Sequence, residues 1–373
     1  MAWSGKRATA AAALAALALV GCGDGATSGA EAPGTAAGAV RTATLAMDTK
    51  GPALPMETSA GVAQVPVAAI GESVVVAVGG EDGAPQAFER WDPRTGARAP
   101  LWQGAAGKQD IVLASSGDWL ATVRTGLALP FPEWQLILRN VTTGEARTIA
   151  RNEGTVADAP DLQPGLPFGF APKPVMDGAT VTWVRNARSA ESPVRELRAY
   201  ALASGSVTTL DTAALAEGDL DTAAAGGGRT AWLRVDAAGQ RFVLREADGG
   251  QRELPVEGAP FAAALDASGR HLAWDDGLIA KRVLDIETGA TSTFATDEGW
   301  GMTAAGSRFT WAPAAAYGGA PGYFDAATGV THILEVREGV RSNYAALLGP
   351  WFVWQSAGPR GDGLYHFSWP GQS

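Results

Sequence analysis

The chain has 373 residues, 46% of them hydrophobic, and a formal net charge of −10 at neutral pH. That length can bury a sizeable core, and the acidic balance excludes a nucleic-acid binder, whose partner would call for a basic patch. A single cysteine, Cys22, excludes an intramolecular disulfide, so core burial must hold the fold.

Taken in chain order, the first element is an export signal over residues 1–21. Lys6 and Arg7 form a charged start, and the apolar run "ATAAAALAALALV" follows. The run is shorter than the roughly 20 residues a membrane span needs. It ends in Leu19-Val20-Gly21-Cys22, which resembles a bacterial lipobox. The resemblance implies cleavage before Cys22 and acylation of that residue, which would anchor the protein stably on a membrane. The alternative is an ordinary secretory signal that happens to contain a cysteine. Without Lys6 and Arg7 the chain becomes two charges more negative, which argues against electrostatic docking on anionic lipid. Residues 22–39 hold the candidate lipidated cysteine and a Gly/Ala-rich tether that cannot bury enough apolar surface to order itself.

Residues 40–373 repeat about every 42 positions. One marker is a turn closing on glycine at Gly96, Gly144, Gly205, Gly249, Gly289 and Gly329, with a weaker copy at Gly371. Asp or Asn opens most of these turns and bonds the backbone ahead of it, and Gly accepts the positive φ at the exit. The second marker is a β-type run ending at Trp183, Trp232, Trp274, Trp311 or Trp354, with Val76 and Thr122 in the first two units. Each unit reads as strand, tight turn, strand with Trp, longer loop, strand, Gly turn, strand. Four short strands per repeat predict an all-β, seven-bladed β-propeller of four-stranded antiparallel blades. The wide Gly144–Gly205 interval is then an insertion. The last unit is one strand short, and "VRTATLAMD" over 40–48 is expected to supply that strand and close the ring, the alternative being that it is only linker.

The Trp-bearing second strands and the Asp285–Gly289 and Asp325–Gly329 turns resemble blades of the TolB-like and YVTN/quinoprotein-like propellers. The resemblance implies the fold and carries almost no functional information. The cofactor-binding residues of quinoprotein dehydrogenases have no match, so no cofactor is expected. A strict WD40 pattern is absent.

Alternate connections of such a meander lie on opposite faces, and the long loops at 124–134, 152–174, 185–196, 313–324 and 356–363 all fall on one of them. The candidate binding face is therefore Phe131, Trp134, Asp161, Phe168, Phe170, Arg185, Arg188, Glu191, Arg360 and Asp362. Aromatics with a few charges suit a protein, peptide or glycan partner; the alternative is that the aromatics pack the loops onto the blades. The recurring Trp set reads as core between sheets. His271, His332 and His366 lie in different strands without ligand spacing, and no metal site is expected. Asp275–Asp276–Gly277 reads as a tight hairpin, which gives the paired carboxylates a structural reason. The expected function is a lipid-anchored, extracytoplasmic binding or assembly module at the cell membrane, periplasmic or on the cell surface. The competing reading is an extracytoplasmic hydrolase or lyase with carboxylates and Arg gathered from several blades.

Overall fold

The computed structural model describes residues 40–45, 51–79, 85–126, 134–151, 172–188, 193–277, 280–296, 299–313, 320–335, 342, 344–357 and 363–369. Every regular element among them is a strand. Two N-terminal strands, β1 (Arg41–Leu45) and β2 (Ala53–Pro55), precede the first complete blade. Blade 1 is β3 (Gln64–Ile70), β4 (Ser73–Gly79), β5 (Pro85–Trp91) and β6 (Arg98–Gln103). Blade 2 is β7 (Lys108–Ser116), β8 (Trp119–Gly126), β9 (Trp134–Asn140) and β10 (Ala146–Arg151). Blade 3 is β11 (Val175–Asp177), β12 (Thr180–Arg188), β13 (Pro193–Ala201) and β14 (Ser206–Ala214). Blade 4 is β15 (Gly218–Gly226), β16 (Arg229–Asp236), β17 (Gly239–Arg245) and β18 (Gln251–Leu254). Blade 5 is β19 (Pro260–Leu265), β20 (His271–Asp276), β21 (Ala280–Asp285) and β22 (Thr291–Ala295). Blade 6 is β23 (Gly299–Ala305), β24 (Arg308–Pro313), β25 (Gly322–Asp325) and β26 (Val330–Leu334). Blade 7 is β27 (Ala345–Leu348), β28 (Trp351–Ala357) and β29 (Gly363–Ser368), completed by β2.

The ring is thus a seven-bladed propeller closed by an N-terminal strand, but the closing segment is not residues 40–48. β2 pairs antiparallel with β29, with Ala53 opposite His366 and Pro55 opposite Leu364. Leu54 buries its side chain in the seam between blades 7 and 1, beside Val353, Tyr365 and Val76. β1 instead runs parallel to β26, making blade 6 five-stranded. Its side chains are mostly exposed, so its polar alternation suits any outer blade edge.

The recurring tryptophans explain how the blades hold together. Trp183, Trp232, Trp274, Trp311 and Trp354 are all fully buried on second strands. Each faces the blade before it: Trp183 meets Leu136 and Leu138 of blade 2, and Trp232 meets Leu197 of blade 3. Trp274 meets Leu233 and Phe242 of blade 4, Trp311 meets Phe294 of blade 5, and Trp354 meets Tyr323 of blade 6. A large flat side chain at one recurring place fills the gap that widens between radiating sheets. Inner strands of blades 1, 2, 4, 5 and 6 carry a bulge at matching places, such as Val112/Ala114 and Pro260/Ala262, which adds local bend and twist. At the blade 4 bulge Thr222 has φ 38, the one positive-φ residue besides glycine among those described. Its Oγ1 donates to the Phe261 carbonyl of the next blade at 2.7 Å, so the strained backbone is held by an inter-blade bond.

The glycine turns follow the expected physics. In blade 5 the Asp285 carboxylate accepts from the Glu287 and Thr288 N–H groups, and Gly289 N–H donates to the Asp285 carbonyl at 2.8 Å with φ 72. Arg270, closing the turn between β19 and β20, donates to the same carboxylate at 2.7 Å. That guanidinium, with the backbone N–H groups, holds the Asp285 carboxyl down at about 2 despite partial burial. Stability from this lowered value is full above the ordinary Asp pKa near about 4 and is lost as pH falls through about 2. Asp285→Asn keeps the turn acceptor but not the charge. The gap in urea midpoint between wild type and variant should therefore narrow between pH 4 and pH 2; a constant gap would contradict this account.

Candidate functional site

Tight turns occupy one face of the ring and longer connections the other. The first-to-second and third-to-fourth turns are short, as at Gly117–Asp118 and Asp285–Gly289. The β8–β9, β10–β11, β24–β25 and β26–β27 connections all lie on the opposite face. Strand polarity enforces this, because each blade is an antiparallel meander starting at the channel.

At the long-loop rim of blades 2, 3 and 4, one register position carries arginine. It lies two residues beyond the buried second-strand residue: Arg124 after Thr122, Arg185 after Trp183, Arg234 after Trp232. Alternation along a strand turns this position toward the preceding blade, as it does the tryptophan. Arg124 grips Asp110 of its own inner strand with bonds of 2.6 and 2.9 Å. Asp110 is fully buried and also accepts from Arg139 at 3.0 Å and from the Trp102 indole of blade 1 at 3.3 Å. Arg139 in turn lies over the Trp102 ring, 4.9 Å from its centroid. The bond to Asp110 raises the Arg124 pKa, whereas burial lowers that of Arg139.

Arg185, nearly buried, donates to Glu196 across the β12–β13 pair at 2.8 Å, and Arg198 donates to the same oxygen at 2.8 Å. Burial opposes ionisation of Glu196, but the bonds from Arg185 and Arg198 outweigh it and its pKa falls. Arg234 reaches across the seam to Asp211 of blade 3 with bonds of 2.7 and 2.8 Å, and the Trp232 indole donates to that carboxylate at 2.8 Å. The Asp211 bond raises the Arg234 pKa. Arg195 of blade 3 pairs with Asp219 of blade 4 at 2.9 Å. Burial nevertheless raises the Asp219 pKa, with Arg195 opposing it. The rim thus holds planar guanidiniums in set orientations, those of Arg234 and Arg195 across the seam between blades 3 and 4.

Of the residues named from sequence, Arg185 belongs to this register. Trp134 opens β9 and is buried beside Val123, Leu136 and Trp183, so it packs the end of its loop onto the blade. Arg188 ends β12, and its side chain lies outside the described residues, as do Phe131, Asp161, Phe168, Phe170, Glu191, Arg360, Asp362 and Cys22. Arg124, Arg234 and their carboxylates were missed. A Trp-x-Arg spacing repeated in blades 3 and 4, and matched by Thr122-Val123-Arg124, was the available signal.

The histidines serve separate local roles. His271 Nδ1 meets the Asp266 carboxylate at 2.8 Å in the turn face of blade 5. His332 stacks on Tyr323, and burial lowers its pKa. His366 stacks on Trp354 and its Nε2 lies 2.6 Å from Ser356 Oγ, a diagonal cross-strand contact in blade 7. Among the described residues, no three His, Cys, Asp or Glu side chains are placed to hold a metal ion. Arginines stay protonated at neutral pH, so these guanidiniums themselves cannot shuttle protons.

The chain matches no protein family and no curated protein. Solved structures similar to it include an oligogalacturonate lyase in complex with manganese, at 11% identity over 80% of this chain and 74% of that chain, with a TM-score of 0.47. An oligogalacturonate lyase from Vibrio parahaemolyticus is similar at 9% identity over 72% and 91%, TM-score 0.46. A mitotic checkpoint complex is similar at 12% identity over 94% and 99%, TM-score 0.49. These are likenesses of backbone course, and no residue role passes from them to this chain.

Proposed function

We propose that the protein is a lipid-anchored, extracytoplasmic propeller of TolB-like character that binds a protein, peptide or cell-envelope glycan through its long-loop face. The observation that carries the reading is the arginine register at the rim of blades 2–4, on the same face as the longer connections. Carboxylates hold these guanidiniums in place before a partner arrives, which lowers the ordering cost of recognition. The part-exposed donors of Arg124 and Arg234 would fit amide, carboxylate or sugar hydroxyl acceptors, whereas Arg185 is nearly buried. The anchor would be acylated Cys22, reached through residues 23–39.

A photo-crosslinking amino acid at Lys173, exposed on the long-loop face, is compared in cells with one at Glu145, exposed in a turn of blade 2. Crosslinks to a discrete envelope component are expected from position 173 and not from 145. Crosslinks from 145 alone, or from neither, would sink the reading. Chemical cleavage of a retained polymer would move it toward a hydrolase or lyase.

A further inference from the structure

The N-terminal strand that failed to close the ring has a direction, and the direction assigns an outer and an inner face. β1 runs parallel to β26, with Arg41 opposite Val330 and Leu45 opposite Leu334. β26 is the fourth strand of blade 6, so it runs from the Asp325–Gly329 turn toward the long-loop face. β1 therefore starts at the turn face and ends at the long-loop face. Its start is pinned by the Arg41 guanidinium, which donates to the Thr328 carbonyl of that turn at 3.1 Å. Its end is pinned by the Glu335 N–H, which donates to the Leu45 carbonyl at 3.0 Å. Val40 packs against the blade 5–6 cluster and Leu45 against the blade 6–7 cluster. The strand is thus fixed at both ends and in register along its length.

We infer that β1 is an orienting strap: it makes the preceding chain leave the propeller from the turn face, so that this face looks at the anchor and the long-loop face looks away. The membrane part rests on the proposed acylation of Cys22; the exit face does not. If residues 23–39 are the tether that their composition predicts, their root-mean-square span would be about 20–25 Å. A nine-residue strand such as β13 is about 30 Å long. A leash shorter than the blade is high favours the face from which it departs. That face is also the one made of tight turns whose charges are already paired, as in Arg229–Glu246, Arg270–Asp285 and Arg94–Glu72. Orienting this face inward turns the longer connections and the arginine rim away from the membrane.

The test uses the full lipidated chain on phosphatidylcholine vesicles carrying an acceptor lipid. A donor dye is attached at Ala327→Cys, in the blade 6 turn, or at Thr296→Cys, beyond β22 on the long-loop face; both positions are exposed. Acylation leaves the native cysteine unreactive toward the dye. Energy transfer to the bilayer should be at least twofold stronger from position 327 than from 296. The difference should vanish in Ala43→Pro/Thr44→Pro, which removes ladder donors of both alternations from β1. Equal or reversed transfer in the wild-type strand would overturn the inference. Failure to float with vesicles would instead refute the anchor. In that case a dye on the free Cys22 thiol of unacylated protein, paired with each of the same two positions, still reads the exit face. Closer approach to 296 than to 327 there would again overturn it.

Discussion

Replacing Trp274 by alanine is expected to destabilise the propeller by about 3–5 kcal/mol, the range for removing a large aromatic from a core. The side chain is fully buried between blades 4 and 5, against Leu233, Phe242 and Leu244 on one side and Leu272 and Leu284 on its own. Its ring lies 5.8 Å from that of Phe242, and its Nε1 donates to the Glu257 carbonyl at 3.2 Å. Alanine removes the area, the contacts and the donor together, and the stiff sheets on either side cannot collapse onto the gap. Trp274→Phe keeps part of the area and should lose less. Val207→Ala, at an exposed outer-strand position, should stay within about 0.5 kcal/mol of wild type. Urea midpoints compared across the three variants measure this, and a loss below about 1 kcal/mol for Trp274→Ala would refute the seam role. If Trp274 instead faced a ligand, its loss would abolish crosslinking from position 173 while leaving the midpoint unchanged.

Why the seam tryptophans were legible while the closing strand was not has a physical answer. A residue that must fill the same gap in every blade recurs at the repeat period, so its register is written along the chain. The closing strand obeys no such repeat, because it joins the last blade from the other end of the chain. Residues 41–45 alternate in the β manner, but their exposed side chains fit any outer edge and could not name the blade. Ala53–Pro55 has three residues and ends in a proline, which is tolerated at an outer edge where no ladder donor is required. Its place is decided by Leu54 entering the seam beside Tyr365, a contact spanning nearly the whole chain. The arginine register was half legible. Trp183-Val184-Arg185 and Trp232-Leu233-Arg234 repeat in sequence, but Asp211 and Asp219 each sit one blade away from the arginine they hold. Spacing along one chain cannot display a pair made across a seam. The adjacent carboxylates Asp275 and Asp276 show the same limit. They end β20 rather than forming the turn, and alternation sends them to opposite sides of the sheet. Asp276 caps the Ala259 N–H at 2.8 Å and pairs with Arg282 at 2.7 Å.

Asp275 goes the other way, and removing its partner should give the second large effect. Its carboxylate and the Lys281 ammonium are both fully buried, with Nζ 3.2 Å from Oδ1. Lys281 also donates to the Gly299 carbonyl at 2.9 Å, which ties blade 5 to the first residue of the blade 6 inner strand. Lys281→Met has similar length without the charge. It strips a buried carboxylate of its ammonium, and the expected loss is about 3–5 kcal/mol. The double variant Asp275→Leu/Lys281→Met removes both charges, together with the desolvation that each demanded. It should recover most of that loss and approach wild-type stability, because a buried pair gains little over well-packed apolar groups. The double-mutant cycle in urea decides the matter: losses that simply add would show that the two groups act independently. Recovery in the double variant would leave the pair a different role from strength. An ammonium that must meet both Asp275 and the Gly299 carbonyl admits one register between β21 and β23, whereas an apolar seam of leucines would tolerate sliding. The charge pair then sets how blade 6 stands against blade 5, and blade 6 is the sheet on which the β1 strap is laid.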